Sequence, residues 1–193
     1  MIVIFSIGNP GPMNRHSVGH LVLKSVMDHL GAKQLVKSSV YSSSTIENLV
    51  FVKSNSYMNE SDKALKKFFE SNKISSDQVI LVVLYDDFEN DLGKVKISKF
   101  KKNESHNGIK SVSKYMKNGD NVYKLGVGIG PKPSNATRDT MADWVLSPFR
   151  LQDKEVLESK GIPLAIDYID YILEVEGEVG DTNKVNAYFS KHS

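Results

Sequence analysis

The residues Val79-Ile80-Leu81-Val82-Val83-Leu84 form an unbroken apolar run, and such a run is stable as a strand only when both of its faces are covered. The chain must then build layers of structure on each side of a sheet. The run gives way to Tyr85-Asp86-Asp87, so the strand is expected to stop there, at the centre of the sheet. Ile2 to Ile7 is a shorter run of the same kind. It closes at Gly8-Asn9-Pro10-Gly11, where glycine and proline turn the chain out of a strand.

The remaining segments fit around these two strands. Val18, Leu21, Val22, Val26 and Leu30 recur at helical spacing ahead of Gly31, which sits where a C-terminal cap belongs. Val40 to Ile46 and Leu49 to Lys53 read as a hairpin, and Ser61 as the cap of a helix reaching about Asn72. Lys94 to Phe100 alternates lysine with apolar residues as a half-exposed strand does, Gly108 to Met116 reads as a helix, and Tyr123 to Ile129 as a strand. Helices are expected over Thr137 to Leu146, Leu151 to about Leu173, and Asn183 to Ser190. Strands interleaved with helices predict an α/β layered fold with a mixed β-sheet, in a single domain spanning residues 1–193.

No apolar run approaches the roughly 18 residues of a membrane-spanning helix, so no membrane partner is expected. Ile2 to Ile7 lacks the shape of a signal peptide and leaves no room for a separate transit segment. With zero cysteines there is no disulfide framework, thiolate zinc site or cysteine nucleophile. A cytoplasmic address is expected, a mitochondrial one by an internal signal staying open. The formal net charge of +2 hides a polarity. Nine lysines (Lys94, Lys96, Lys99, Lys101, Lys102, Lys110, Lys114, Lys117, Lys124) against Glu104 and Asp120 make 9 − 2 = +7 over Lys94 to Lys124. Nine acids against Lys154 and Lys160 make 2 − 9 = −7 over Leu151 to Asp181. Two solvated faces of opposite sign would explain this, but the same layout can steer a polyanion onto one side of the molecule.

In open α/β sheets ligands bind outside the carboxyl ends of the strands. Asn9 and Arg15-His16 follow the first strand, Tyr57-Met58-Asn59 the hairpin, and Asp86-Asp87 the central strand. Should these loops share one rim, a histidine, a carboxylate and two carboxamides converge there. A histidine held by an aspartate through one ring nitrogen can deprotonate water with the other. Asp86 would fix the tautomer and orientation of His16, as the acid does in a Ser-His-Asp triad. The neutral amide of Asn59 would position water or an oxyanion without quenching the base. Plainer explanations exist for each: a surface histidine, an Asp-Asp turn, a capping asparagine. Glu89 and Asp91 extend the acidic group towards a possible Mg²⁺ site, a weaker reading because the next segment is basic. His16 and His20 have the spacing of a zinc pair, but Gly19 between them and a missing third ligand argue against metal. Gly8-Asn9-Pro10-Gly11 lacks the spacing of a phosphate cradle, and the glycines of Val127-Gly128-Ile129-Gly130 suit close packing.

Taken in order, Ile7-Gly8-Asn9-Pro10-Gly11, Arg15-His16-Ser17-Val18-Gly19, Tyr57-Met58-Asn59-Glu60-Ser61, Asp86-Asp87 with Leu92-Gly93-Lys94, Ser105-His106-Asn107-Gly108, Gly128-Ile129-Gly130 and Trp144-Val145-Leu146-Ser147-Pro148-Phe149 match a known series. The chain resembles the bacterial-type peptidyl-tRNA hydrolases from about Ile2 to Phe149. The resemblance implies a mixed twisted β-sheet flanked by α-helices, a monomer, no cofactor and no metal. It implies hydrolysis of the ester of peptidyl-tRNA, with RNA as the partner. Carried over by position, His16 is the general base, Asp86 its orienting carboxylate and Asn59 the amide for water and substrate carbonyl. Asn9 and Tyr57 would contact substrate, as would the pair His106 and Asn107. The chain departs from the family pattern in a shorter loop from Gly11 to Arg15, in Ser17 for asparagine, in Tyr85 for histidine, and in Glu104-Ser105 for glycines. A catalytically inactive RNA-binding protein on the same scaffold is the competing reading, and a Mg²⁺ enzyme using Asp86, Asp87 and Asp91 a third.

Overall fold

The computed structural model describes residues 1–116 and 121–192, so Lys117 and Asp120 of the basic stretch lie outside the described residues. Seven strands make one sheet in the order β2-β3-β4-β1-β5-β7-β6. They are β1 (Ile2–Ser6), β2 (Val36–Ser38), β3 (Tyr41–Ile46), β4 (Leu49–Ser54), β5 (Ile80–Asp91), β6 (Val95–Ser98) and β7 (Val122–Gly130). β4, β1, β5 and β7 are mutually parallel, with Ile4 opposite both Phe51 and Val82. β3 and β2 on one side and β6 on the other add antiparallel. The sheet is therefore mixed, and its middle strand is β1, with β5 beside it.

Alternation sorts the side chains into two cores. Ile4, Phe51, Val82, Leu84, Leu125 and Val127 join one cluster with Val18, Val22 and Val26 of α1 (Val18–Leu30). Val3, Phe5, Val52, Leu81 and Val83 join the other with Leu65, Phe68 and Phe69 of α2 (Ser61–Ser71) and with Ile109 and Val112 of α3 (Asn107–Tyr115). Covering both faces is what the continuous apolar runs require, each fully buried Val, Leu, Ile or Phe contributing about 1.5–3 kcal/mol. The helices α4 (Arg138–Val145), α5 (Leu151–Val156), α6 (Ile162–Glu174) and α7 (Thr182–His192) complete the chain. A π-helical segment, Leu157–Gly161, joins α5 to α6. It precedes Pro163, whose ring has no N–H to give to the carbonyl four residues back, so the expected single helix widens there. α7 closes the open edge of the sheet. The Asn186 amide accepts from the Ile97 N–H at 2.9 Å and donates to the Ile97 carbonyl at 2.7 Å, reproducing with one side chain what a further strand would offer.

Three expectations need correction. β5 does not stop at Tyr85 but runs on to Asp91, because β7 keeps pairing with it through Asp87 opposite Gly128 and, past an irregularity, Asp91 opposite Gly130. Ser61 does not cap α2. It is the first helical residue after a 3-10 turn, Met58–Glu60, and its hydroxyl donates back to the Met58 carbonyl at 2.6 Å. β2 was not expected, since its three exposed residues carry no pattern.

Candidate active site

Because β1, β4 and β5 run parallel, the segments that follow them emerge at one rim, the place open α/β sheets use for ligands. A 3-10 turn, Arg15–Ser17, brings His16 there and leads into α1. The helix can enter so deeply only because residue 19 is glycine. A Cβ on Gly19 would lie 2.6 Å from the Leu84 carbonyl oxygen and 2.8 Å from that of Ile7.

At this depth the His16 Nδ1 meets Asp86 Oδ2 at 2.5 Å, and the His106 Nε2 meets Asp86 Oδ1 at 2.7 Å. The Asp86 carboxylate is 0% exposed and the His106 ring 5%, while His16 at 14% reaches the surface. His106 Nδ1 accepts from the Gly108 and Ile109 N–H groups at the start of α3. That use as an acceptor leaves the His106 proton on Nε2, facing Asp86. The other carboxylate oxygen then accepts from His16 Nδ1–H, and His16 Nε2 keeps its lone pair for a substrate. Burial by itself would raise the Asp86 carboxyl, but the two imidazoles and their hydrogen bonds outweigh it and hold the group below its ordinary value. One buried carboxylate thus orients an imidazole whose free nitrogen is basic.

His106 has structural partners that the sequence did not show. Expected with Asn107 to contact substrate, it lies buried beneath the rim, with both ring nitrogens engaged by the protein. Its ring stands between Phe88, stacked at 5.7 Å, and the edge of Tyr85 at 5.3 Å. The sequence offered one hint, since a polar residue just ahead of a helix is a capping candidate. The other expected residues lie on loops, a 3-10 turn and a helix start. Asn9 Oδ1 accepts from the Met58 N–H at 2.7 Å, tying the loop after β1 to the turn that presents Asn59 and committing its acceptor, so that its NH₂ is what it can offer. Asn59, Tyr57 and Asn107 are exposed, Asn107 as the first residue of α3.

Arg15, next to His16, finds its partners 132 to 138 residues along the chain. Its guanidinium donates to Ser147 Oγ at 2.6 Å and the Pro148 carbonyl at 2.9 Å, and reaches Asp153 at 3.3 Å. It lies 5.4 Å from the ring centroid of Trp144 and 5.3 Å from that of Phe149. The turn bearing His16 is thereby fastened to the segment between α4 and α5. Arg15→Met should cost about 1–3 kcal/mol of stability through the lost hydrogen bonds and cation–π contacts, measured by urea unfolding. A loss under about 0.5 kcal/mol, the range of a neutral surface change, would contradict this anchoring.

The zinc pair does not form. His20 Nδ1 bonds Ser6 Oγ at 2.8 Å, and burial pushes the imidazole down to about 3. Among the described residues, His16, Asp86 and His106 are a group whose ligand atoms lie close enough for a metal. The bonding argues otherwise, because His106 Nε2 could bind an ion only by giving up its proton while Nδ1 still accepts two N–H groups. Nor do the other acids gather around Mg²⁺. Asp87 accepts from the Glu89 N–H and the Asn90 amide, and Glu89 pairs with Lys132. Both aspartates lie within β5, Asp87 opposite Gly128, so the turn explanation fails for each.

A cavity of about 230 Å³ opens beside the triad, lined by Asp86, His106, Lys96 and Lys101 among others. Lys96 and Lys101 are exposed on its wall and Lys102 is exposed next in sequence, whereas Lys124, also in the lining, is buried. A larger cleft, about 550 Å³, lies between β6, α6 and α7 with Val95, Leu164, Tyr168 and Phe189 in its walls. It holds no comparable set of acid and base, so chemistry rather than size locates the site. No helix among the described residues is long and apolar enough to cross a membrane.

Residues 3–192 match the family model described as peptidyl-tRNA hydrolase. A probable peptidyl-tRNA hydrolase of Schizosaccharomyces pombe is 35% identical over 164 residues, covering 81% of this chain and 76% of the relative. A peptidyl-tRNA hydrolase of Fervidobacterium nodosum is 35% identical over 178 residues, covering 90% and 89%. The crystal structure of the peptidyl-tRNA hydrolase from Acinetobacter baumannii superposes with a TM-score of 0.78 at 20% identity, covering 97% of this chain and 95% of that one, a likeness of fold.

Proposed function

The chain belongs to the peptidyl-tRNA hydrolase family, and from that premise we propose that it cleaves the ester of peptidyl-tRNA with His16 as the base that activates water. The hydrogen-bond order around Asp86 carries this reading, since it engages His16 Nδ1 and leaves Nε2 free at the rim to take a proton. Water bound to that nitrogen attacks the ester carbonyl as its proton passes to His16. The tetrahedral intermediate carries an oxyanion, for which the Asn59 amide supplies N–H donors. Collapse breaks the bond to the ribose oxygen, and His16 returns the proton to that leaving oxygen. Asn9, Tyr57 and Asn107 stand on the same rim to hold the ends of the substrate. An acyl ester of tRNA is already activated, so one base and one oxyanion donor are sufficient chemistry.

Lys96, Lys101 and Lys102 neutralise phosphates without reading sequence, as suits an enzyme meeting many tRNAs. The complete set lies on one chain of residues 1–193, which supports a single-domain enzyme acting as a monomer. A substrate made by translation supports a cytoplasmic address, with the mitochondrion as the second compartment where it arises. The test is release of N-acylated amino acid from N-acylaminoacyl-tRNA, with and without EDTA. Release is expected in both arms. Salt-sensitive binding with no release would favour an RNA-binding scaffold without catalysis, and release lost to EDTA would restore the metal.

A further inference from the structure

Tyr85 and Glu104 meet around one buried lysine. Lys124, on β7, places its ammonium 2.7 and 2.8 Å from the two carboxylate oxygens of Glu104. The two side chains are 4% and 6% exposed. Glu104 Oε1 also accepts from the Lys101 N–H at 2.6 Å, so the carboxylate closes its own loop and pins it to the sheet. The same ammonium lies 5.8 Å from the centroid of the Tyr85 ring. Tyr85 in turn meets the His106 ring edge-on. Glu104 stands two residues ahead of His106, which means that the pinned segment is the one that delivers His106 to Asp86.

A side-chain ion pair holds this loop, and a buried ion pair is a demanding choice, because each charge loses its water and the pair tolerates little misalignment. Such pairs specify one arrangement more than they add stability. The arrangement specified here ends at a carboxylate that must be held to a few tenths of an ångström to orient a base.

We propose that Glu104 and Lys124 are positioning residues for catalysis, fixing the 101–106 loop so that His106 holds Asp86 in register with His16. The inference rests on the hydrolase reading above. Neither residue touches substrate; their effect passes through His106.

The test uses the Glu104→Ala/Lys124→Met double variant, which removes the staple without leaving a buried unpaired charge, and Lys124→Arg, which keeps the pair. Folding is verified by circular dichroism. The double variant is expected to lose about tenfold in kcat, a shift typical of a displaced catalytic constellation, with KM changed less than threefold. Its downfield imidazole N–H resonances, from the protons shared with Asp86, should broaden or move. Lys124→Arg, which keeps a cation facing Glu104, should retain more of kcat than the double variant and leave those resonances closer to their wild-type positions. Glu104→Gln/Lys124→Met, which keeps an acceptor for the Lys101 N–H and leaves no buried charge, provides a second variant should the first not fold, and the same loss is expected of it. A folded staple-free variant with wild-type kcat and unmoved resonances would overturn the proposal. Absence of cleavage by the wild-type protein would instead sink the hydrolase reading, which the resonances, read without substrate, keep separate.

Discussion

The His16→Ala variant is expected to lose about 10²- to 10⁴-fold in kcat, the usual contribution of a positioned general base, while KM for the acylated tRNA stays near that of the wild type. The asymmetry follows from geometry. His16 contributes one basic nitrogen at the rim, whereas the lysines around the cavity and the amides of Asn9 and Asn107 remain to bind the ester. The fold should survive at a modest cost. His16 is only partly buried, but its Nδ1–H is one of the two donors that satisfy Asp86, and an acceptor of a buried carboxylate left without its partner costs about 1–3 kcal/mol. Single-turnover release kinetics and a urea titration on the same preparation separate these effects. Cleavage within about threefold of the wild type in a folded His16→Ala protein would remove the base from the mechanism.

Much of this arrangement was legible in the sequence wherever burial writes a pattern. Ile2–Ser6 and Val79 to Leu84 had to be strands covered on both faces, and polar residues beyond them had to lie at a rim. That rule makes His16 and Asp86 candidates, and the resemblance gives them their roles. What was not legible depends on pairing. The last residues of β5 are polar and aperiodic, and they stay extended only because β7 opposite them carries Gly128 and Gly130, which let the two backbones close. Lys124 counts as surface charge until Glu104, 20 residues away, is found beside it. His106 looks like a loop residue offered to substrate until the helix it caps and the carboxylate it meets are both in view. Each of these is a contact between distant segments, for which local periodicity has no signal.

Asp86→Asn should lower kcat by about 10⁴-fold, the loss seen when the orienting aspartate of a Ser-His-Asp triad becomes asparagine. The structure gives the reason in tautomers. His106 cannot reverse its proton, because its Nδ1 accepts from Gly108 and Ile109, so the new amide must keep its oxygen towards His106 Nε2–H. Its NH₂ then faces His16 and donates to Nδ1, which drives the His16 proton onto Nε2, the nitrogen that has to receive one from water. Every hydrogen bond in the cluster is retained while the base is blocked. Stability at neutral pH should therefore stay near the wild-type value, unlike Asp86→Ala, which strands the buried His106 N–H. The two proteins should diverge in acid. The Asp86 carboxyl is held below its ordinary 3.8 by the imidazoles, so its contribution is full above that pH and drains away as the pH falls through the depressed native value. Asp86→Asn has no such proton to take up and should lose less stability than the wild type between pH 4 and strongly acidic conditions. Nitrogen-15 shifts of the His16 ring report the tautomer directly. Asp86→Asn with wild-type turnover, or with His16 still protonated on Nδ1, would show that the carboxylate does not orient the base.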